Sequence, residues 1–481
     1  MSNLGKAHDN GPNYKAVFKL IFTQVTGHEE LIYCTLNLPQ YTAKVYAMAC
    51  GILIFVIFIT ISTSQVATGA NILFFFIGGT YSHKLSVWPL ACSLADKGHN
   101  VTVFSRFKMQ PRPHPLITDL TSDQVDKFAK TLPPFDPIES RRREETLQLW
   151  RSVFSISLQL CEIFMTKTDD DPVLRYLVHD AKFDLVINNA VVSDCGYILA
   201  HRYEAKLIIS SSTVVLPWYL ELFGIPSEAS WVPDWSGESK FPMNFFDRWT
   251  SFYRPTYYYV YRQLYFYPVM ERIAETVYGR DASQGLSLLE TEKSASLVLI
   301  HSHFSVGFPR SYPPMFVDVG GMQCWEAKLP LPSTLQLLLD SSEKVILVSF
   351  GSTIDASMVN DSLKTVLLEA MEKLSSFQFI LRGNSSKSQE YPPNVFLSQW
   401  LPQREILNHP KVLAFLTHGG LNGLAEATFA AVPLIVIPLF ADQDYNAYRI
   451  EAESLGIRLE LRELSSQGIV RAVNAITGNL M

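Results

Sequence analysis

From Asn71 the chain alternates short apolar runs with amphipathic stretches. NILFFFI (71–77) has the length and content of a buried strand, HKLSVWPLACSLADKG (83–98) reads as a helix ending at Gly98, and NVTVFS (100–105) reads as the next strand. Strand, helix, strand implies a parallel sheet, because parallel neighbours need a crossover connection. FDLVIN (183–188), KLIISSS (206–212) and SLVLI (296–300) continue that sheet. Residues 245–267 form an aromatic-rich helical insertion, read either as packing or as an apolar substrate wall, and the Pro-rich stretch from Phe308 to Pro332 reads as a linker. A second series follows: KVILVSFGST (344–353) is a strand with a glycine turn, SLKTVLLEAMEKL (362–374) is a helix, and FQFILR, NVFLSQW, KVLAFLTH and VPLIVIP are further strands. The pattern predicts an α/β chain of two doubly wound halves facing across a cleft, with ligands beyond the carboxyl ends of the strands.

Composition narrows the class without naming a function. With 481 residues, 48% hydrophobic and 18% charged, the chain has material for two or three cored domains and is not a disordered protein. A net charge of −6 gives no reason to expect nucleic acid as a partner, and the basic run Arg141–Arg143 is followed at once by two glutamates. Six cysteines (34, 50, 92, 161, 195, 324) show neither CxxC nor a zinc-ligand spacing, so no metal cluster is indicated and individual bridges stay undecided.

The region before Asn71 carries a routing signal. Lys44 precedes AMACGILIFVIFITI (47–61), fifteen residues without a charge, and then the small polar stretch STSQVATGA (62–70). A membrane span needs about twenty apolar residues, so the segment reads as a secretory signal. Met48 would be a natural start; residues 1–47 are then an upstream extension, or they convert the segment into a signal anchor. Either way the expected route is secretory, to the lumen or membrane of the endoplasmic reticulum. Asn-x-Ser/Thr triplets stand at Asn100, Asn360 and Asn384.

The stretch THGGLNGLAEA (417–427) lies between the apolar runs VLAFL and VPLIVIP. Gly419 and Gly420 let backbone N–H groups approach a ligand where a Cβ would intrude, and the helix that follows offers free N–H groups and a positive dipole end, suited to a diphosphate. His418 can donate to a phosphate oxygen, and Glu426 can accept from two ribose hydroxyls. The alternative is a tight turn and nothing more. The stretch does not fit the dinucleotide fingerprint G-x-G-x-x-G, which counts against a nicotinamide oxidoreductase.

The longer run FLSQWLPQREILNHPKVLAFLTHGGLNGLAEATFAAVPLIVIPLFADQDYNAYR (396–449) resembles the donor-binding signature of the UDP-glycosyltransferases. The resemblance extends back through SHFSVGFPRSYPPMFVDVGGMQC to SHKLSVWPLACSLADKGHNVTVF and is nearest to invertebrate members. It implies a GT-B-type fold: an extension with a signal or signal anchor (1–70), an acceptor-binding Rossmann-like domain (71–307), a linker (308–332) and a UDP-sugar-binding Rossmann-like domain (333–481) that is short at its end. It implies that Trp400 stacks on uracil, Gln403 contacts the nucleoside, Ser352, His418 and Asn422 surround the diphosphate, Glu426 holds the ribose, and Asp442 and Gln443 bind the sugar. It implies His83 as the base that deprotonates an acceptor hydroxyl in an inverting transfer of glucose or glucuronate to a small lipophilic acceptor. No metal or other cofactor is expected, UDP-sugar being a co-substrate.

Two departures bear on activity. Where the family carries an aspartate that orients the base, this chain has Asn189, with Asp194 nearby as a substitute. The family's C-terminal helices, which cross back onto the first domain, and its membrane anchor are not found. The competing expectation is a catalytically weak relative that binds UDP-sugar or a lipophile, or that partners a full-length transferase; membrane association and homo- or hetero-oligomers stay open.

Overall fold

Two parallel sheets carry the chain in the computed structural model, which describes residues 69–109, 114–132, 146–235, 242–281, 283–303, 305–325, 329–351, 361–383 and 391–478. The first sheet comprises β1 (Asn71–Phe76), β2 (Asn100–Ser105), β3 (Ile117–Leu120), β4 (Leu185–Asn189), β5 (Lys206–Ser211), β6 (Leu297–Ile300) and β7 (Phe316–Asp318), in the order β3-β2-β1-β4-β5-β6-β7. The second comprises β8 (Val345–Ser349), β9 (Gln378–Arg382), β10 (Val395–Ser398), β11 (Val412–Thr417), β12 (Leu434–Val436) and β13 (Gly456–Arg458), in the order β10-β9-β8-β11-β12-β13. Every pairing is parallel.

The central strands have continuous apolar runs because helices cover both faces. Leu73, Phe75 and Ile77 face one core, while Ile72, Phe74 and Phe76 face another on the opposite side of the sheet. In the second sheet Ile346 and Val348 divide from Val345 and Leu347 in the same way. In both sheets the strand order reverses beside the first strand, between β1 and β4 and between β8 and β11. At such a switch point the two loops at the carboxyl ends diverge and leave a crevice.

Several elements escaped the sequence pattern, three strands among them. β3 is an edge strand with no apolar run, and β7 lies inside the Pro-rich stretch read as a linker, joined to β6 from Val298↔Phe316 to Ile300↔Asp318. β13 is three residues long, and the helix Ser466–Gly478 after it packs Ile469, Ala472 and Val473 into the second core. The aromatic insertion is a helix, Phe245–Tyr261, continuing into Arg262–Phe266; it buries Pro255, Tyr258 and Phe266 and exposes Phe245, Phe246, Trp249 and Phe252 to solvent. It contributes packing, and none of its residues lines the cleft described below. Asn100 is the exposed first residue of β2; Asn360, Asn384, residues 1–68 and Arg141–Arg143 lie outside the described residues. Cys161 and Cys195 are joined in a disulfide between the helices Thr146–Thr166 and Cys195–Tyr203. No described helix is long and apolar enough to cross a membrane.

Candidate active site

Residues Thr68–Met481 form one compact unit, and within it a cleft of about 1540 Å³ is lined by the loops of both switch points. From the first sheet come His83 and the turn before it, Val191, Val192 and Ser212; from the second come Gly351, Arg382, Trp400, Gln403, His418, Gly420, Asn422, Glu426, Asp442 and Gln443. Of the sequence-derived residues, His83, Trp400, Gln403, His418, Gly420, Asn422, Glu426, Asp442 and Gln443 therefore meet in one space, while Asn189, Asp194 and Gly419 do not line it. Ser352 lies outside the described residues, although its neighbour Gly351 lines the cleft.

His83 lies in the first turn of the helix Tyr81–Asp96, which starts directly after the β1 loop. That loop passes so near the β4 loop that a Cβ on Gly79 would stand 3.0 Å from Asn189 Nδ2 and 3.3 Å from His83 Nδ1, which accounts for glycine at this position. The β4 loop itself places Val192 at φ 54, a conformation β-branched residues rarely adopt and one that gathers at functional loops. His83 Nδ1 is enclosed without a hydrogen-bond partner among the described residues, and burial pushes the imidazole down to about 4, so it is neutral at pH 7. Asn189 is fully buried: its Nδ2 donates to the Val191 carbonyl at 3.0 Å and its Oδ1 accepts from Ser212 Oγ at 3.1 Å. Its amide lies beside His83 but its hydrogen bonds go elsewhere.

Asp194 does not substitute for it. Its Oδ1 accepts from Arg262 Nη1 at 3.0 Å and its Oδ2 from Ser157 Oγ at 2.8 Å. Arg262 in turn binds Glu292 at 3.0 Å, forming an ion-pair cluster inside the first core. An unpaired buried charge is costly, so removing Asp194 would damage folding rather than catalysis. The second imidazole near His83 is His301, whose Nε2 stands 3.3 Å from Ser210 Oγ; burial, then repulsion from His83, lowers it to about 3.

On the other side, β11 delivers His418 to the turn before the helix Leu421–Phe429, whose N-cap is Gly420. The imidazole ring is sandwiched between two glycines: a Cβ on Gly420 would stand 2.5 Å from its Nε2, and one on Gly351 2.7 Å from its Cε1. Its Nδ1 lies 3.2 Å from Thr417 Oγ1, and burial with the nearby Arg382 cation lowers it to about 4. Gly419, at φ +90, brings its carbonyl to Asn446 Nδ2 at 3.0 Å; the same amide donates to Asp442 Oδ2 at 3.1 Å. Burial raises Asp442 to about 6. Gln443 Oε1 accepts from the backbone of Leu439 and Phe440 at 2.9 and 3.1 Å, so its amide nitrogen is the group left to offer a ligand.

Glu426 is buried on the first helical turns after the glycines, where Gln403 Nε2 donates to its Oε2 at 2.7 Å; burial raises the carboxyl to about 7. Trp400 is 56% exposed, a flat surface open to an aromatic ligand. Its ring is met edge-on by Tyr81 at 5.4 Å and lies 5.6 Å from the Arg382 guanidinium. Arg382, at the end of β9, also donates to the Gly351 carbonyl. Arg382 and Tyr81 were not read from the sequence. The only signal for Arg382 was a cation closing an apolar strand beside a switch point.

The rest of the cleft, on the first-sheet side, includes Trp88, Met109, Trp150, Ile156, Leu160 and Trp235, with Asp96, Arg106 and His114 also lining it. Such a wall suits an apolar guest entering beside His83. Among the described residues no group of three or more His, Cys, Asp or Glu side chains is arranged to hold a metal ion.

Known proteins identify the family and the fold. The family described as "UDP-glucoronosyl and UDP-glucosyl transferase" matches residues 74–480. UDP-glucosyltransferase 2 of Dactylopius coccus is 30% identical over 429 residues, covering 88% of this chain and 79% of its own length. UDP-glucuronosyltransferase 2B1 of Rattus norvegicus is 28% identical over 417 residues, covering 82% and 76%. Among solved structures the spinosyn rhamnosyltransferase SpnG aligns with a TM-score of 0.56 at 15% identity, covering 85% of this chain and 91% of its own. At that identity the likeness shows the fold alone, two Rossmann-like domains of GT-B type. The chain belongs to the UDP-glucuronosyl and UDP-glucosyl transferase family and is a UDP-glycosyltransferase.

Proposed function

We propose that this enzyme transfers glucose or glucuronate from the UDP-sugar to a hydroxyl of a small lipophilic acceptor in one inverting displacement, with His83 as general base. The observation that carries the reading is the meeting of His83 and the His418–Glu426 segment in one cleft whose other wall is largely aromatic and aliphatic, with Asp96, Arg106 and His114 among its polar members. Uracil stacks on Trp400, Glu426 and Gln403 take the ribose side, and the diphosphate lies at the helix start beside His418 and Arg382. Asp442 and the Gln443 amide face the sugar. The acceptor O–H gives its proton to His83 as its oxygen forms a bond to the anomeric carbon; the bond from that carbon to the diphosphate breaks and UDP leaves with the electron pair. The helix N–H groups and the nearby cation stabilise the negative charge on the departing UDP, so the displacement is proposed to run without a metal.

The same reading includes passage through the secretory route, supported by the apolar segment 47–61 and by the pairing of Cys161 with Cys195, since disulfides persist in oxidising compartments. One observation favours weak rather than strong catalysis: among the described residues His83 Nδ1 has no hydrogen-bond partner to stabilise the protonated ring from that side. Incubation with radiolabelled UDP-glucose and UDP-glucuronate and a panel of phenols and alcohols tests the proposal, the product's anomeric configuration being read by NMR. A β-glycoside from an α-linked donor supports it; retained configuration overturns the single displacement.

A further inference from the structure

On the first-sheet side of the cleft, Arg106 is a cation that its described neighbours leave undercompensated. It follows β2 directly, and β2 pairs with β1 up to Phe76↔Ser105, so its loop starts one strand spacing, about 5 Å, from the loop that leads to His83. That loop is firmly held: Lys84 Nζ donates to the Phe107 carbonyl at 2.6 Å, and the Met109 N–H donates to Asp119 Oδ2 at 2.9 Å. The other oxygen of Asp119 pairs with Lys84 at 2.5 Å. Asp126 lies 3.8 Å from Arg106 Nη2, too far for a hydrogen bond, and its other oxygen pairs with Lys130 at 2.6 Å. Arg106 Nε is enclosed with no hydrogen-bond partner among the described residues. Burial weighs more on the guanidinium than Asp126 offsets and lowers its pKa, yet an arginine stays charged at neutral pH.

We propose that Arg106 selects the acceptor: the cleft takes a lipophilic hydroxy acid, with its hydroxyl at His83, its apolar body against Trp88, Met109, Trp150 and Ile156, and its carboxylate on the Arg106 guanidinium. The proposal rests on the transfer reaction above and adds the second functional group of its acceptor. A guanidinium fork matches a carboxylate with two parallel N–H···O bonds, and a partly buried, weakly hydrated cation gains more from an anion than an exposed one. The guest's carboxylate supplies at contact the charge that Asp126 supplies at a distance. Asp96, an acid that also lines this side, ends the helix that His83 begins, about 20 Å away by the helical rise and beyond the screening length. It is engaged by His114 Nε2 at 3.2 Å, so it does not repel a carboxylate at Arg106. With the acid end held away from His83, sugar goes to the hydroxyl and the product keeps a free carboxylate.

The test measures transfer from radiolabelled UDP-sugar to para-hydroxyphenylpropanoate, para-hydroxyphenylbutanoate and their methyl esters, in the wild type, Arg106→Gln and Asp126→Asn. The readout is the ratio of kcat/KM for each acid over its ester, with UDP affinity by calorimetry as the check that each variant is folded. The wild type should favour the acid about tenfold for at least one chain length, the scale of one charge-assisted contact. Arg106→Gln should lose that preference through KM rather than kcat, and Asp126→Asn, which removes the competing carboxylate, should enlarge it. UDP affinity should stay within about twofold in both. The same ratio in all three proteins would overturn the proposal and leave Arg106 a structural partner of Asp126. Sugar esterified to the carboxylate would overturn it as well, as would a wild type that uses neutral phenols but neither acid. A wild type that transfers sugar to no acceptor speaks against the proposed function; calorimetric binding of the acids to the wild type and Arg106→Gln then decides the Arg106 site, and equal or absent binding overturns it.

Discussion

His83 and Asn189 flank the small space at Gly79, where a Cβ would stand 3.3 Å from the imidazole Nδ1 and 3.0 Å from the amide nitrogen. A carboxylate in place of that amide would face the imidazole and favour its protonated form. Asn189→Asp should raise turnover about tenfold, which corresponds to the roughly 1.4 kcal/mol that one pKa unit represents. The sign on pH is fixed: the base works unprotonated, so activity falls as pH drops through the His83 pKa, about 4 in the wild type. In Asn189→Asp the acid limb of kcat/KM should move to higher pH. An unchanged limb in the pH–rate profile would show that the two side chains do not communicate.

Under the proposed function Glu426 should give the donor site its own pH dependence. Burial holds the carboxyl near 7, and ribose hydroxyls bind its ionised form better. Binding therefore lowers its pKa and releases protons, and affinity should rise as pH increases from 6 to 8. Uridine is the suitable probe because it has no phosphate to titrate. Calorimetry at the two pH values should show tighter binding at pH 8, and Glu426→Gln should remove the difference.

Trp400→Ala and Glu426→Ala should each weaken UDP binding by about 1 to 3 kcal/mol, or tenfold to a hundredfold. Unchanged calorimetric affinity in both would remove the donor site from this turn.

Gly420→Ala tests the setting of His418. The added methyl would stand 2.5 Å from Nε2, closer than any real contact, so the ring must move. UDP affinity should fall by about tenfold, the cost of one misplaced hydrogen bond of about 1.4 kcal/mol. The thermal midpoint should change little, since the ring borders the cleft rather than a core.

Much of the architecture was legible because buried parallel strands must be apolar along their whole length. NILFFFI, KVILVS and KVLAFLTH could hardly be anything else, and their loops fell at the two switch points. β7 and β13 were not legible: three-residue strands have no period, and Pro313 and Pro314 before β7 read as a linker. At the site, His418, Gly420 and Glu426 stood out because glycine and charge interrupted an apolar run. Arg382 and Tyr81 did not, since their roles arise from contacts with Trp400 in a different segment. Asp194, close to Asn189 in the sequence, was plausible by proximity, but its partner Arg262 lies 68 positions away and no local pattern announces it.

His83→Ala is the most direct measurement of the central claim, because the base and the nucleotide site belong to different sheets and can be separated. Transfer from radiolabelled UDP-sugar to the best acceptor is compared with UDP affinity in the same two proteins. Turnover should fall by roughly a hundredfold to ten-thousandfold with UDP affinity within about twofold, the range expected for losing a general base. Undiminished transfer by His83→Ala would contradict the account.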